Sequence, residues 1–181
     1  MDMYTLKFTR LQNEIFRLLS IKSGEKLNKR TIANLLKVSP TAVSKSLMLL
    51  EKEGLVKIER EEKMNLSLVR LNREDSRAIG LKRAENLKML YESGLVEDLE
   101  EKFPGSTIIL FGSYAYGDDT IKSDVDIAVI GCKDKEIDLD NFERLLEREI
   151  RINFYKDFKK IHEHLKENLY NGIILKGGFE L

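Results

Sequence analysis

Two short apolar runs joined by a glycine turn constrain this chain more than any other feature. Residues 107–111 (TIILF) have the pattern of a buried strand, followed at once by Gly112-Ser113-Tyr114-Ala115-Tyr116-Gly117. A second strand pattern, 125–130 (VDIAVI), follows Ser123-Asp124, and ten residues separate Ser113 from Asp124. The two-residue period of a strand turns Asp124 and Asp126 to one face and Val125, Ile127 and Val129 to the opposite, buried face. Two carboxylates held so closely repel, and each favours a hard cation between them. Mg²⁺ with oxygen ligands and a bound triphosphate meets that demand. Gly112 has no Cβ, so the chain can turn tightly and a phosphate can approach its backbone. The Ser113 hydroxyl and nearby N–H groups suit a β- or γ-phosphate.

Charge divides the chain in two. Over its 181 residues the net charge is zero, yet residues 1–72 hold 14 Lys+Arg against 8 Asp+Glu, and residues 73–181 hold 17 against 23. A basic module suited to a polyanion is thus joined to an acidic one suited to cations. Hydrophobic residues at 42% and charged residues at 34% place both in the soluble globular class. No apolar run approaches a membrane span, and the N-terminus MDMYTLKFTR has no signal-like apolar core. Cys132 is the only cysteine, which excludes an internal disulfide and a multi-cysteine zinc site. A cytoplasmic location and no membrane partner are expected.

In the basic module, Phe8, Leu11, Ile15, Leu18 and Leu19 recur at helical spacing. A second helix is expected over 29–36, with Ile32, Leu35 and Leu36 facing in. Ser39 is placed as an N-cap with Pro40 at the first helical position, and a third helix runs through Val43, Leu47 and Leu50 to a stop at Gly54. Strand patterns over 55–58 and 66–71 flank a polar tip, 59–65. This order, and above all TIANLLKVSPTAVSKSLMLLEKEGLVKIER, resembles the winged-helix family of DNA-binding domains. The resemblance implies that DNA is met by Thr41, Ser44 and Lys45 in the major groove and by Lys29 and Arg30 on phosphates. Glu61 and Glu62 beside Arg60 and Lys63 weaken the case for the wing, and a protein-contact role for the module stays open. A helical connector over 73–93 follows, with Leu81, Ala84, Leu87 and Tyr91 on one side. That stripe serves either a core or a homodimer interface.

The Gly112-Ser113 turn, the ten-residue spacing and the Asp124-x-Asp126 pair resemble the nucleotidyltransferase superfamily of DNA polymerase beta, in particular its minimal members. The resemblance implies transfer of a nucleotidyl group from a nucleoside triphosphate, ATP by expectation, with Mg²⁺ on Asp124 and Asp126 and the phosphates on Gly112 and Ser113. The acceptor is a protein, a nucleic acid or a small molecule, and a partner chain is one source of it. The family also carries a third carboxylate on a later strand. A helix over 139–150 followed by Arg151-Ile152-Asn153-Phe154-Tyr155 places that position on Asn153, whose amide adds no charge and is no useful base. A closing helix through Ile161, Leu165 and Leu169 precedes NGIILKGG, which resembles the end of minimal nucleotidyltransferases.

The expected fold class is therefore α+β, with a winged helix over 1–72, a connector over 73–93 and a small mixed-sheet nucleotidyltransferase-like domain over 94–181. Two functions stay open. One is a Mg²⁺-dependent nucleotidyltransferase with a DNA-binding module. The other is a transcriptional regulator or antitoxin-like protein whose degenerate transferase domain binds a nucleotide or a partner without turnover.

Overall fold

Thr9 starts the first helix because its hydroxyl accepts the Gln12 N–H while the Gln12 side chain accepts the Thr9 N–H, a reciprocal cap. The computed structural model describes residues 8–61 and 66–178. It divides into two compact units, Met1–Ile79 and Gly80–Leu181.

The first unit runs α1 (Arg10–Ile21), β1 (Leu27–Asn28), α2 (Lys29–Leu36), α3 (Pro40–Lys52), β2 (Val56–Glu61) and β3 (Leu66–Leu71). Its antiparallel sheet has the order β1-β3-β2. Three helices and a hairpin in this order make a winged helix. Ser39 caps α3 by accepting the Ala42 N–H, and Pro40 stands at its first position. Ile15, Leu19, Ile32, Val43, Leu47, Leu50 and Val69 form the sealed interior. Leu35, expected inside, is 52% exposed. Helix α2 is only two turns long and ends in a left-handed Lys37, so its buried side is confined to Ile32 and Ala33. The two-residue strand β1 carries no apolar pattern of its own and exists through its pairing with β3. Strand β2 extends to Glu61, so Glu59 and Arg60 belong to the ladder rather than to the tip. Glu59 lies between Lys26 at 2.5 Å and Arg70 at 2.8 Å. Hydrogen bonds from Lys26 first and Arg70 second hold its carboxyl below the usual range. Glu62 and Lys63 lie outside the described residues.

The second unit begins within α4 (Ser76–Glu92) and continues through α5 (Leu95–Lys102), β4 (Thr107–Phe111), α6 (Gly112–Tyr116), β5 (Val125–Ile130), α7 (Asp140–Leu146), β6 (Ile150–Tyr155), a 3-10 turn (Phe158–Lys160), α8 (Glu163–Tyr170) and β7 (Ile173–Lys176). The sheet order is β6-β5-β4-β7, with β5 and β6 parallel and the other pairs antiparallel. On one face Ile108, Leu110, Val125, Ile127 and Val129 are buried, and Phe103 packs on Phe154 at 5.3 Å between ring centres. On the other face Ile109, Phe111, Ala128 and Ile130 are buried with Ile161 and Leu169, with Leu165 packed against them. No helix among the described residues is long and apolar enough to cross a membrane.

Two expectations need correction here. Leu81, Ala84, Leu87 and Tyr91 are not the buried side of α4, since Ala84 and Tyr91 are exposed and the other two are half-buried. Its buried residues are Ala78, Lys82, Asn86, Met89 and Leu90. Lys82 goes inside because it ion-pairs with Asp119, itself without exposed surface. Asn86 Nδ2 donates to the same carboxylate at 2.7 Å, and Arg148 Nη2 donates to its other oxygen at 3.1 Å. Nor does a helix span 139–150. Helix α7 stops at Leu146, Glu147 turns left-handed, Arg148 enters the Asp119 cluster, and Ile150 opens β6 with its N–H on Glu143.

The cluster holds two cations on one carboxylate. Removing the acid takes away the buried partner that both cations share, whereas removing Lys82 leaves Asp119 paired with Arg148. Asp119→Ala should lose about 3–5 kcal/mol of unfolding free energy, and Lys82→Met should lose clearly less. Denaturant titration of the two variants checks the order.

Candidate functional site

Strand pairing builds the site. Antiparallel β4–β5 register sets Phe111 opposite Asp126, so the chain leaves the sheet at Gly112 directly beside that carboxylate. Gly112 has φ 72°, and a Cβ there would lie 2.7 Å from Asp126 Oδ2. The glycine is therefore required twice, for its left-handed backbone and for the room it leaves the acid. Ser113 follows in the first turn of α6.

Asp124 and Asp126 share a face, and Val125 and Ile127 are sealed on the other, as the strand period demands. Burial first, and repulsion from Asp124 second, push the Asp126 carboxyl above its ordinary range. Arg151 pulls in the opposite direction. This arginine is the residue that reading the sequence missed. In the parallel β5–β6 register Asp126 stands beside Arg151, while Asn153 stands beside Ala128, one step further along the same face. Arg151 Nη1 lies 2.9 Å from Asp124 Oδ2, and its Nε lies 3.3 Å from Glu149. Hydrogen bonding to Glu149 and the charge of Asp124 raise its already high pKa. Its parity with Asn153 was visible in the sequence, but the register that chooses between the two positions was not.

Among the described residues no three His, Cys, Asp or Glu side chains come together as a metal cage. One of the two carboxylates is paired with a guanidinium in the position beside Asp126. The guanidinium thus compensates part of the charge that a cation between Asp124 and Asp126 would otherwise offset. An open cleft of about 1000 Å³ flanks Asp124, lined by Ser123, Glu143, Arg144, Glu147 and Arg148 among others.

The DNA-facing candidates are also placed. Thr41 and Lys45 are exposed and Ser44 half-buried, at one-turn spacing on α3 opposite the buried Val43, Leu47 and Leu50. Met48, 63% exposed, extends that stripe and was not foreseen. Lys29 and Arg30 open α2 beyond its Asn28 cap, with Arg30 exposed. His162 and His164 are exposed, and Lys176 pairs with Glu100 at 3.0 Å.

A raised carboxyl pKa in the folded state means that the ionised form opposes folding, so this penalty is present at neutral pH and is relieved as pH falls through the folded pKa. Asp126→Asn should therefore be more stable than the parent at pH 7. The advantage should fade in acid, below the folded pKa of Asp126. Thermal midpoints measured across pH 3–7 on both proteins check the sign.

Residues 92–175 match the family model described as "Nucleotidyltransferase domain". None of the curated proteins compared with the chain is significantly similar to it. Among solved structures, the zinc-responsive MarR family member ZitR of Lactococcus lactis is 26% identical, with 58% of this chain and 70% of that one covered and a TM-score of 0.41. Wild-type ZitR in complex with DNA gives 25% identity, 57% and 68% coverage and a TM-score of 0.42. The adhesin competence repressor AdcR of Streptococcus pyogenes gives 21%, 54% and 69%, and 0.42. The glycine turn and the paired acids thus lie inside the segment that this family model matches.

Proposed function

We propose that this chain is a DNA-binding regulator whose nucleotidyltransferase domain binds a nucleoside triphosphate, ATP by preference, without transferring it. The observation that carries this reading is Arg151, which stands beside Asp126 and pairs with Asp124. A guanidinium in that place neutralises part of the acid pair and offers planar donors to phosphate. Gly112 keeps the backbone open to a phosphate group, and the Ser113 hydroxyl is the natural second contact. Asn153, beside Ala128, supplies neither a charge nor a base.

The winged-helix unit supplies the DNA contact. Thr41, Ser44 and Lys45 enter the major groove, and Lys29 and Arg30 hold phosphates. The partly exposed apolar residues Leu81, Leu87 and Tyr91 on α4 support a homodimer. The setting is the cytoplasm, where nucleotides and DNA are both at hand. The alternative is Mg²⁺-dependent transfer to a protein, nucleic-acid or small-molecule acceptor. It is favoured by the intact glycine turn and by the raised pKa of Asp126, a mark of chemically active carboxylates.

Labelled ATP separates the two. The parent protein, incubated with ATP, Mg²⁺ and candidate acceptors, should label none of them, and ATP binding by equilibrium dialysis should survive chelation of divalent ions. Arg151→Ala should weaken that binding about tenfold, the loss of one charge-assisted contact. Transfer by the parent protein, or binding that vanishes with the metal, returns the chain to the enzyme reading. For the other unit, the parent protein should shift upstream DNA with an affinity that falls as salt rises, and Arg30→Glu with Lys45→Glu should abolish the shift.

A further inference from the structure

The second unit has another cleft, at the opposite end of its sheet. Strands β5 and β6 are parallel and end together at Ile130 and Tyr155, roughly 13 Å along β5 from Asp126 at strand rise. Beyond those ends lies a cleft of about 740 Å³. Its lining includes Lys156, Asp157, Phe158, Lys159, Lys166 and Tyr170. The volume lies within the ordinary range for small-molecule sites.

The lining has a definite chemistry. Among the described residues three lysines face one acid, and Asp157 accepts the Lys159 N–H at 2.9 Å to cap the 3-10 turn. Lys156 and Lys159 are exposed and form no ion pair among the described residues. Lys166 pairs with Glu163 at 2.8 Å, but the Glu163 side chain is 84% exposed, so water replaces it readily. Beside the lysines, the rings of Phe158 and Tyr170 meet edge to face at 5.2 Å. Tyr170 is 62% exposed, which leaves ring surface uncovered for a planar group. Cationic ammonium groups next to open aromatic surface suit a ligand that carries both a phosphate and a flat ring.

We propose that this cleft is a second ligand site, separate from the glycine turn and the acid pair, that takes a small phosphorylated aromatic molecule of the nucleotide class. The lysines hold the phosphate and Tyr170 covers the base. Among the described residues the cleft is lined by one carboxylate, that of Asp157, so it holds the molecule as an effector.

Adenosine monophosphate is the probe, titrated into the full chain and followed by ligand-observed NMR and equilibrium dialysis. Adenosine, inorganic phosphate and a single-stranded oligonucleotide serve as comparison arms. The mononucleotide should bind at least about tenfold more tightly than phosphate or adenosine alone, which is the gain from a second contact. Lys156→Glu with Lys159→Glu should lower its affinity at least tenfold, and Tyr170→Ala should lower it severalfold. Ser113→Ala and Arg151→Ala should leave the Tyr170-dependent binding unchanged. All the changed residues here are exposed or half-buried, and unchanged thermal midpoints confirm that the variants fold. Binding untouched by the lysine pair, equal binding of phosphate alone, or binding of the oligonucleotide only would each overturn the proposal. Loss in Ser113→Ala and Arg151→Ala alone would also overturn it while leaving the nucleotide reading of the first site intact. Loss in the lysine and Tyr170 variants with none in Ser113→Ala and Arg151→Ala is the expected pattern, and the first site is tested separately by the binding of ATP.

Discussion

A single carboxylate with no exposed surface holds the second unit together. Asp119 lies between α6 and β5 and accepts from Lys82 and Asn86 of α4 and from Arg148, just ahead of β6. A charge at that depth persists only when it is compensated. The compensation ties down three segments that are distant in sequence. Asn86 adds a bond to the Tyr114 carbonyl at 3.0 Å, which brings the short helix after Gly112 into the same network. The entry into β5 and the start of β6 are thereby set, and the parallel register follows from Val125 beside Ile150.

That register decides the character of the site. It sets Arg151, and not Asn153, next to Asp126. The two acids retain the repulsion and burial that lift the Asp126 pKa, but a tethered guanidinium now supplies part of the compensation that a bound cation would otherwise give. The backbone half of the motif is unaltered, because Gly112 still turns left-handed against Asp126 with no space for a Cβ. A segment that matches the nucleotidyltransferase family over 92–175 thus keeps the phosphate-accessible turn and carries an arginine beside its acid pair.

The first unit was legible to a large degree. Helical spacing located Ile15, Leu19, Val43, Leu47 and Leu50, all of which are sealed in its core, and Ser39-Pro40 marked the start of α3. The failures have local causes. Leu35 looked internal by its spacing but sits in a helix with room for only one buried side, and β1 has no pattern because two residues cannot show one. In α4 the apolar residues misled, since ion pairing with Asp119 turned a lysine inward and left Tyr91 outside.

By itself the sequence determined what depends on neighbours along the chain: the first three helices and the Ser39 cap, the two buried strands, the glycine turn, and the common face of Asp124 and Asp126. These follow from backbone periods and from the lack of a Cβ at Gly112, which act over a few residues. Only the tertiary structure decided which residue of β6 meets the acids, which side of α4 is buried, and that lysines and aromatic rings gather beyond the ends of β5 and β6. Each of these depends on register or on the pairing of buried charges between distant segments, and neither leaves a period in the sequence.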